Sequence, residues 1–261
     1  MLNLYLLRHG ETEFSRGDRF CGDIDAPLTP AGLRMGERFA DAYGDLAWRA
    51  IVTSTRRRTI TTAEPLAARV SVRIRRDARL DEMFFGEWQG LTKREAAVRD
   101  PVRYGQWRQD PTIGPPAGES PFAVSARAIA AVDDLRAQYA SGNVLIVSHK
   151  TVLRLLLCRL LNIDLQRYRD GEWPTGGVSL LEFAPCHAVA RLVADDRYLL
   201  PETRGNFVGE QLAGRGESDP DFVDDDPAGG DGAGDLDVAS DQGVDAMTGG
   251  VGGAIDPVGG A

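Results

Sequence analysis

The sequence predicts an α/β fold, and three observations carry that prediction. Two apolar runs of strand length, Leu2–Leu7 and Val144–Val147, each give way within two residues to a histidine. Stretches of helical periodicity alternate with these and with further short apolar runs. About 200 residues precede a sharp change of composition, enough for one domain with a sizeable core.

That change divides the 261 residues. Residues 202–261 hold 14 of the 39 Asp and Glu, two of the 30 Lys and Arg, and 15 of the 30 Gly. Such a segment buries too little apolar surface to offset its ordering entropy. Residues 1–204 are expected to form the domain, and 205–261 an acidic, Gly/Asp-rich disordered tail. The tail accounts for the net charge of −9; the body is slightly positive. It has no basic block beyond Arg56-Arg57-Arg58, so nucleic-acid binding is not expected. The longest apolar run, Leu155–Cys158, is broken by Arg159, so no membrane span is expected. Cys21, Cys158 and Cys186 are odd in number and far apart, giving neither a disulfide framework nor zinc-ligand spacing. Met1 leads straight into the first apolar run, so no signal peptide is expected and the compartment is a reducing cytoplasm. Oligomeric state is not legible.

In chain order, Leu2–Leu7 reads as a strand that stops at Arg8-His9-Gly10. Ligands of open α/β sheets bind just beyond the carboxyl ends of such strands. Arg supplies a planar fork of donors for an oxyanion, and a neutral imidazole is a competent nucleophile. A polar loop follows, Phe14 to Gly22. Thr29 and Pro30 open a helix whose stripe is Leu33, Phe39, Ala40 and Tyr43, with Gly44 as its stop. Ala50–Thr53 reads as a parallel strand, with Ser54 and Thr55 as caps of the next helix. Neighbouring helical residues lie about 100° apart, so Arg56, Arg57 and Arg58 cannot share one target. Pro65 is expected to kink or restart that helix. Val72–Arg75 alternates as a strand. Leu80, Phe84, Phe85 and Trp88 surround Glu82, and apolar surroundings raise a carboxyl's pKa toward a useful general-acid value. Thr92 to Glu95 has capping-box spacing. Pro101 to Trp107 reads as a second short helix, with Trp107 either in a pocket or in the core. Ser120 caps a long helix with Val124, Ala128, Val132, Leu135 and Tyr139, ended by Gly142. Val144–Val147 is the second strand that runs into a histidine, His149. An apolar helix spans Thr151 to Asn162. Two final strands, Val178–Phe183 and Ala188–Val193, flank a turn at His187.

Four motifs together resemble the histidine phosphatase, or phosphoglycerate mutase-like, family over roughly residues 2–200. They are Arg8-His9-Gly10-Glu11-Thr12, the Ser-x-x-x-Arg-x-x-x-Thr-Ala pattern at Ser54, Arg58, Thr62 and Ala63, Glu-x-x-x-Gly-x-Trp-x-Gly from Glu82 to Gly90, and Ser148-His149. The Pro-Leu-Thr-x-x-Gly stretch from Pro27 to Gly32 is a further match. The resemblance implies a three-layer α/β/α sandwich with a mostly parallel central sheet, and a small helical cap inserted between Leu91 and Ser120. It implies His9 as the nucleophile, Glu82 as general acid/base, and Arg8, Arg58 and His149 as catalytic phosphoryl ligands. Ser15, Cys21, Gly22 and Lys150 are assigned to substrate binding. Ser15 stands where relatives usually carry Asn, and Lys150 where they carry Gly. Lys150 either holds a carboxylate or second phosphate on the substrate or is solvated at a helix start.

The expected activity is hydrolysis of a small phosphomonoester through a phosphohistidine, with no metal and no cofactor. A mutase is the alternative. Cofactor-dependent mutases carry Glu-Arg-His-Tyr-Gly around the acid, and Glu82-Met83-Phe84-Phe85-Gly86 lacks the Arg and Tyr. A phosphate-binding pseudo-enzyme is a further alternative, against which all five catalytic positions are filled.

Overall fold

The computed structural model describes residues 1–184 and 187–200. The expected tail, the 204/205 boundary and Cys186 lie outside them. The described residues build a six-stranded sheet in the order β3-β2-β4-β1-β5-β6. The strands are β1 (Leu2–Arg8), β2 (Trp48–Thr53), β3 (Ile74–Arg76), β4 (Gly142–Ser148), β5 (Val178–Phe183) and β6 (Ala188–Asp195). The first four are mutually parallel, whereas β5 and β6 join antiparallel. The sheet is therefore mostly parallel, as expected.

Alternation along the central strands divides the core into two layers, because successive strand residues face opposite sides. Leu4, Leu6, Val144 and Ile146 face one side, with Val124, Val132, Val152 and Leu156. Those last four lie on α6 (Pro121–Gln138) and α7 (Lys150–Leu160). Tyr5, Leu7, Leu145 and Val147 face the other, with Phe39, Tyr43, Ala63 and Leu66. These belong to α2 (Pro30–Tyr43) and α3 (Arg57–Val70). The outcome is the expected sandwich. Fully burying a Leu or Val side chain contributes about 1.5–3 kcal/mol, so the central strands are held from both faces.

Helix starts follow local chemistry. Thr29 Oγ1 accepts the Gly32 amide at 3.1 Å, with Pro30 at the first helical position. Thr92 and Glu95 form a reciprocal capping box on α4 (Lys93–Arg99). Ser120 caps α6. The inserted helices α4 and α5 (Pro101–Gln109) carry Trp107, which is 5% exposed and packs edge-on against Phe20 and Trp88.

Several local expectations are corrected. Ser54 and Thr55 do not cap α3: its N-cap is Arg56, whose side chain makes no capping hydrogen bond. Their hydroxyls have longer-range partners, Thr59 and His149 for Ser54 and Asp81 for Thr55. Leu33 is exposed, and α2 instead presents Gly32 and Gly36 beside Phe39, Ala40 and Tyr43. A Cβ on Gly32 would lie 2.2 Å from the Glu11 carbonyl oxygen, so only glycine lets the helix approach that close. Helix α3 does not restart at Pro65 but runs through it as one element, with buried Ala63 and Leu66 on either side of the proline. Gly142 does not end α6, which stops at Gln138; at φ +98° it opens β4.

Candidate active site

The site forms where three parallel strands end side by side. Arg8 at the end of β1 is in register with Ser148 at the end of β4. The His9 amide donates to the Ser148 carbonyl at 3.0 Å, and the Ser54 amide, just past β2, donates to the Val147 carbonyl at 3.1 Å. Register thus brings together two histidines 140 positions apart. Their ring centroids lie 5.2 Å apart.

Hydrogen bonds fix the protons of both rings. His9 Nδ1 lies 2.7 Å from the Gly10 carbonyl oxygen. A carbonyl only accepts, so Nδ1 carries the hydrogen and the Nε2 lone pair is free. Burial, then Arg58 and Arg8, hold the His9 pKa well below its ordinary value, so the ring is neutral at pH 7. His149 has the opposite tautomer. Arg58 Nε donates to its Nδ1 at 3.2 Å, and its Nε2 lies 2.8 Å from Ser54 Oγ, to which it must donate. Burial first, and then Arg58, lower its pKa too.

The cations are placed by carbonyls. Arg58, 1% exposed, donates from its two terminal nitrogens to the Ile24 and Gly22 carbonyls at 2.7 and 2.9 Å. With Nε on His149, three of its five N–H groups are engaged, leaving two for a ligand. Gly22, at φ +56°, turns its carbonyl to this arginine. Arg8 donates to the Trp173 carbonyl, while its buried Nε has no partner among the described residues. Of the three adjacent arginines, Arg58 alone is buried; Arg57 is exposed and Arg56 pairs with Asp81.

Glu82 follows the 3-10 turn Ala78–Leu80. Its Oε1 accepts the Met83 amide at 2.8 Å. Loss of water raises its pKa above the ordinary carboxylate value, and hydrogen bonds from Met83 and Thr151 with the charge of Arg58 oppose that only in part. Asp81 instead fastens Thr55 and Arg56, and Glu87 pairs with Arg99.

Other expected contacts have different partners. The Ser15 hydroxyl bonds the Thr12 amide at 2.8 Å and the Thr12 carbonyl at 3.0 Å, closing a capping box on the short α1 (Glu13–Arg16). Cys21 Sγ donates to the Ile24 carbonyl at 3.4 Å. Lys150 Nζ pairs with Glu172 at 2.9 Å.

Sequence reasoning missed two supports. Ser54 orders His149, whereas its place before a helix suggested a cap. Arg127, on α6, donates to the Arg79, Asp81 and Glu82 carbonyls and pairs with Glu119, which accepts the Phe84 amide. These bonds brace the Glu82 loop from both sides. The long separation of Arg127 from Glu82 left no local signal.

Neutral imidazoles, two guanidiniums with spare donors and a carboxyl with a raised pKa meet at adjacent strand ends, a donor set with the chemistry to hold an oxyanion. Residues 4–196 match the histidine phosphatase superfamily (branch 1), and the chain belongs to that superfamily. A bifunctional protein of Mycobacterium tuberculosis is 39% identical over 158 residues, 59% of this chain and 43% of that relative. The chain thus spans less than half of that longer protein. Glucosyl-3-phosphoglycerate phosphatase of the same organism is 32% identical over 182 residues, 67% of this chain and 79% of that protein. A solved mycobacterial glucosyl-3-phosphoglycerate phosphatase in complex with VO3 has a TM-score of 0.69 at 29% identity, covering 74% of this chain and 99% of that one.

Proposed function

We propose that the chain is a phosphoric monoester hydrolase acting on a small phosphorylated substrate through a phosphohistidine on His9. The observation that carries this reading is the His9 tautomer: Nδ1–H is held by Gly10, and Nε2 presents a free lone pair. That nitrogen attacks phosphorus in line, the P–N bond forms and the bond to the ester oxygen breaks. Arg8 and Arg58 bind the phosphoryl oxygens, where charge in the transition state is best stabilised by fixed donors; His149 orients Arg58 through Nδ1 and joins them as a donor when its Nε2–H turns from Ser54 to the phosphoryl group. Glu82, whose pKa is raised by loss of water, gives its proton to the leaving oxygen. As a carboxylate it then takes a proton from water, which attacks phosphorus and releases phosphate from Nε2.

Similarity to a glucosyl-3-phosphoglycerate phosphatase supports hydrolysis of a phosphomonoester. Substrate contact by Ser15 requires α1 to give up a capping bond; Cys21 and Gly22 act through the loop that holds Arg58. No helix among the described residues is long and apolar enough to cross a membrane. The free thiols of Cys21 and Cys158 accord with a cytoplasmic setting.

The test is to trap the intermediate. Denaturing quench of wild-type enzyme with a labelled phosphomonoester, in EDTA, should leave acid-labile, base-stable label on His9, and His9→Ala should show neither label nor turnover. Label on Ser or Cys, or strict dependence on added Mg²⁺, would overturn the mechanism. Interconversion of phosphoglycerate isomers without phosphate release would indicate a mutase.

A further inference from the structure

Helix α7 leaves the site directly from His149 and carries two cations one turn apart, Lys150 and Arg154. Residues four apart lie on the same helix face. Both reach Glu172, Lys150 Nζ at 2.9 Å and Arg154 at 3.8 Å. The same short segment is pinned at both ends: Arg154 donates to the Gly171 carbonyl and Arg8 to the Trp173 carbonyl. Two residues of extended chain span at most about 7 Å. Arg8, a ligand of the phosphoryl site, and Arg154 therefore converge on one edge.

The pairing at this edge is uneven. Lys150 and Arg154 share one carboxylate, and Glu172 is 76% exposed whereas Lys150 and Arg154 side chains are 23% and 14% exposed. The buried Nε atoms of Arg8 and Arg154 both lack a partner among the described residues. A buried N–H without an acceptor is costly, so these groups call for further oxygens. The exposed carboxylate gains little from its pairs, since water competes for it. Burial of Lys150, and then Arg154 beside it, lower its pKa, a repulsion that a second anion would relieve.

We propose that Lys150 and Arg154, beside Arg8, form a second-anion subsite for a carboxylate or second phosphate of the substrate, and that Glu172 occupies it until that group displaces it. The proposal rests on the hydrolase reading and narrows it to phosphomonoesters that carry another anionic group. Glu172 is then a placeholder, which sets the sign of its effect opposite to that of the two cations.

The experiment compares 3-phosphoglycerate with glycerol 3-phosphate, which has CH2OH in place of the carboxylate, and with glycerol 1,3-bisphosphate, which has a second phosphate. In the full-length enzyme, the carboxylate or the bisphosphate ester should exceed glycerol 3-phosphate at least tenfold in kcat/KM, and whichever does identifies the anion. Lys150→Met should bring that ratio close to one, and Arg154→Met should do the same if the variant folds. Glu172→Gln should lower KM for the anion-bearing ester severalfold without helping glycerol 3-phosphate. An unchanged ratio in Lys150→Met, or a Glu172→Gln change that weakens all three esters alike, overturns the subsite and leaves Glu172 a structural latch. If none of the esters nor p-nitrophenyl phosphate is hydrolysed, the hydrolase reading fails. Calorimetry of the same three compounds against wild type and Lys150→Met then decides the subsite on binding alone.

Discussion

Ser54→Ala tests whether His149 is ordered through its far side. In wild type the chain of bonds runs in one direction. Arg58 Nε–H occupies His149 Nδ1, so His149 Nε2–H donates to Ser54 Oγ, and Ser54 in turn can donate to Thr59 Oγ1 at 2.9 Å. Ser54, His149 and Thr59 are all fully buried. Alanine leaves the imidazole N–H without an acceptor where water does not reach, at a cost of about 1–3 kcal/mol. The Arg56 amide loses its 3.2 Å bond to the same oxygen. For a domain of this size about 1 kcal/mol moves Tm by 2–4 °C, so a fall of about 2–12 °C is expected. His149 escapes the penalty only by moving its proton to Nδ1, and that breaks the bond to Arg58. Either way His149 and Arg58, the proposed phosphoryl ligands, lose alignment, and kcat/KM should fall about 10–100-fold, or roughly 1.4–2.8 kcal/mol of barrier. Thermal denaturation, kcat/KM for p-nitrophenyl phosphate and nitrogen NMR of His149 read the three effects. A lowered Tm with wild-type kcat/KM would confine Ser54 to folding. No change in either would refute the proposed chain of hydrogen bonds.

Glu82→Gln should separate leaving groups: alkyl phosphates, whose oxygen needs a proton, should lose about 10²–10⁴-fold, whereas p-nitrophenyl phosphate should give a burst followed by slow turnover. Equal loss without a burst would remove Glu82 from the acid role. Stability should fall on acidification below the unfolded histidine value of about 6.5, because His9 and His149 are depressed in the fold and the unfolded chain binds the protons. The slope should approach about 1.4 kcal/mol per pH unit for each, and His9→Ala should remove its share. Glu82, raised in the fold, works in the opposite sense only as pH falls through its folded value toward 4.5. Denaturant midpoints that are flat from pH 7 to 5.5 would contradict the buried neutral rings. A chain ended at Arg204 keeps every proposed site residue, so kcat should stay within about threefold, roughly 0.6 kcal/mol; loss of activity with the fold intact would give the acidic segment a functional part.

The strand-end histidines were legible because the signal is local. An apolar strand that stops at Arg8-His9 or Ser148-His149 specifies both the strand and the edge at which its last residue emerges. Glu82 stood out from apolar neighbours within a few residues, whereas helix geometry said only that Arg56, Arg57 and Arg58 could not share one target, and the resemblance of Ser54–Ala63 to the family pattern singled out Arg58. The layered fold followed because alternation along β1 and β4 needs helices on both faces. What the sequence left open was the partner of each short polar or charged side chain. Ser54 could cap α3 or turn across the sheet, and adjacency of β2 and β4 put His149 beside it. Ser15 was assigned to substrate binding, and its bonds to Thr12 in the folded loop were not foreseen. Lys150 could meet solvent or an anion, and only the return of the chain at Glu172 showed that this cation already holds a carboxylate. Periodicity and spacing fix which face a residue occupies. Which hydrogen bond it makes there depends on groups that folding brings within about 3 Å, three residues away for Ser15, 22 for Lys150 and 95 for Ser54.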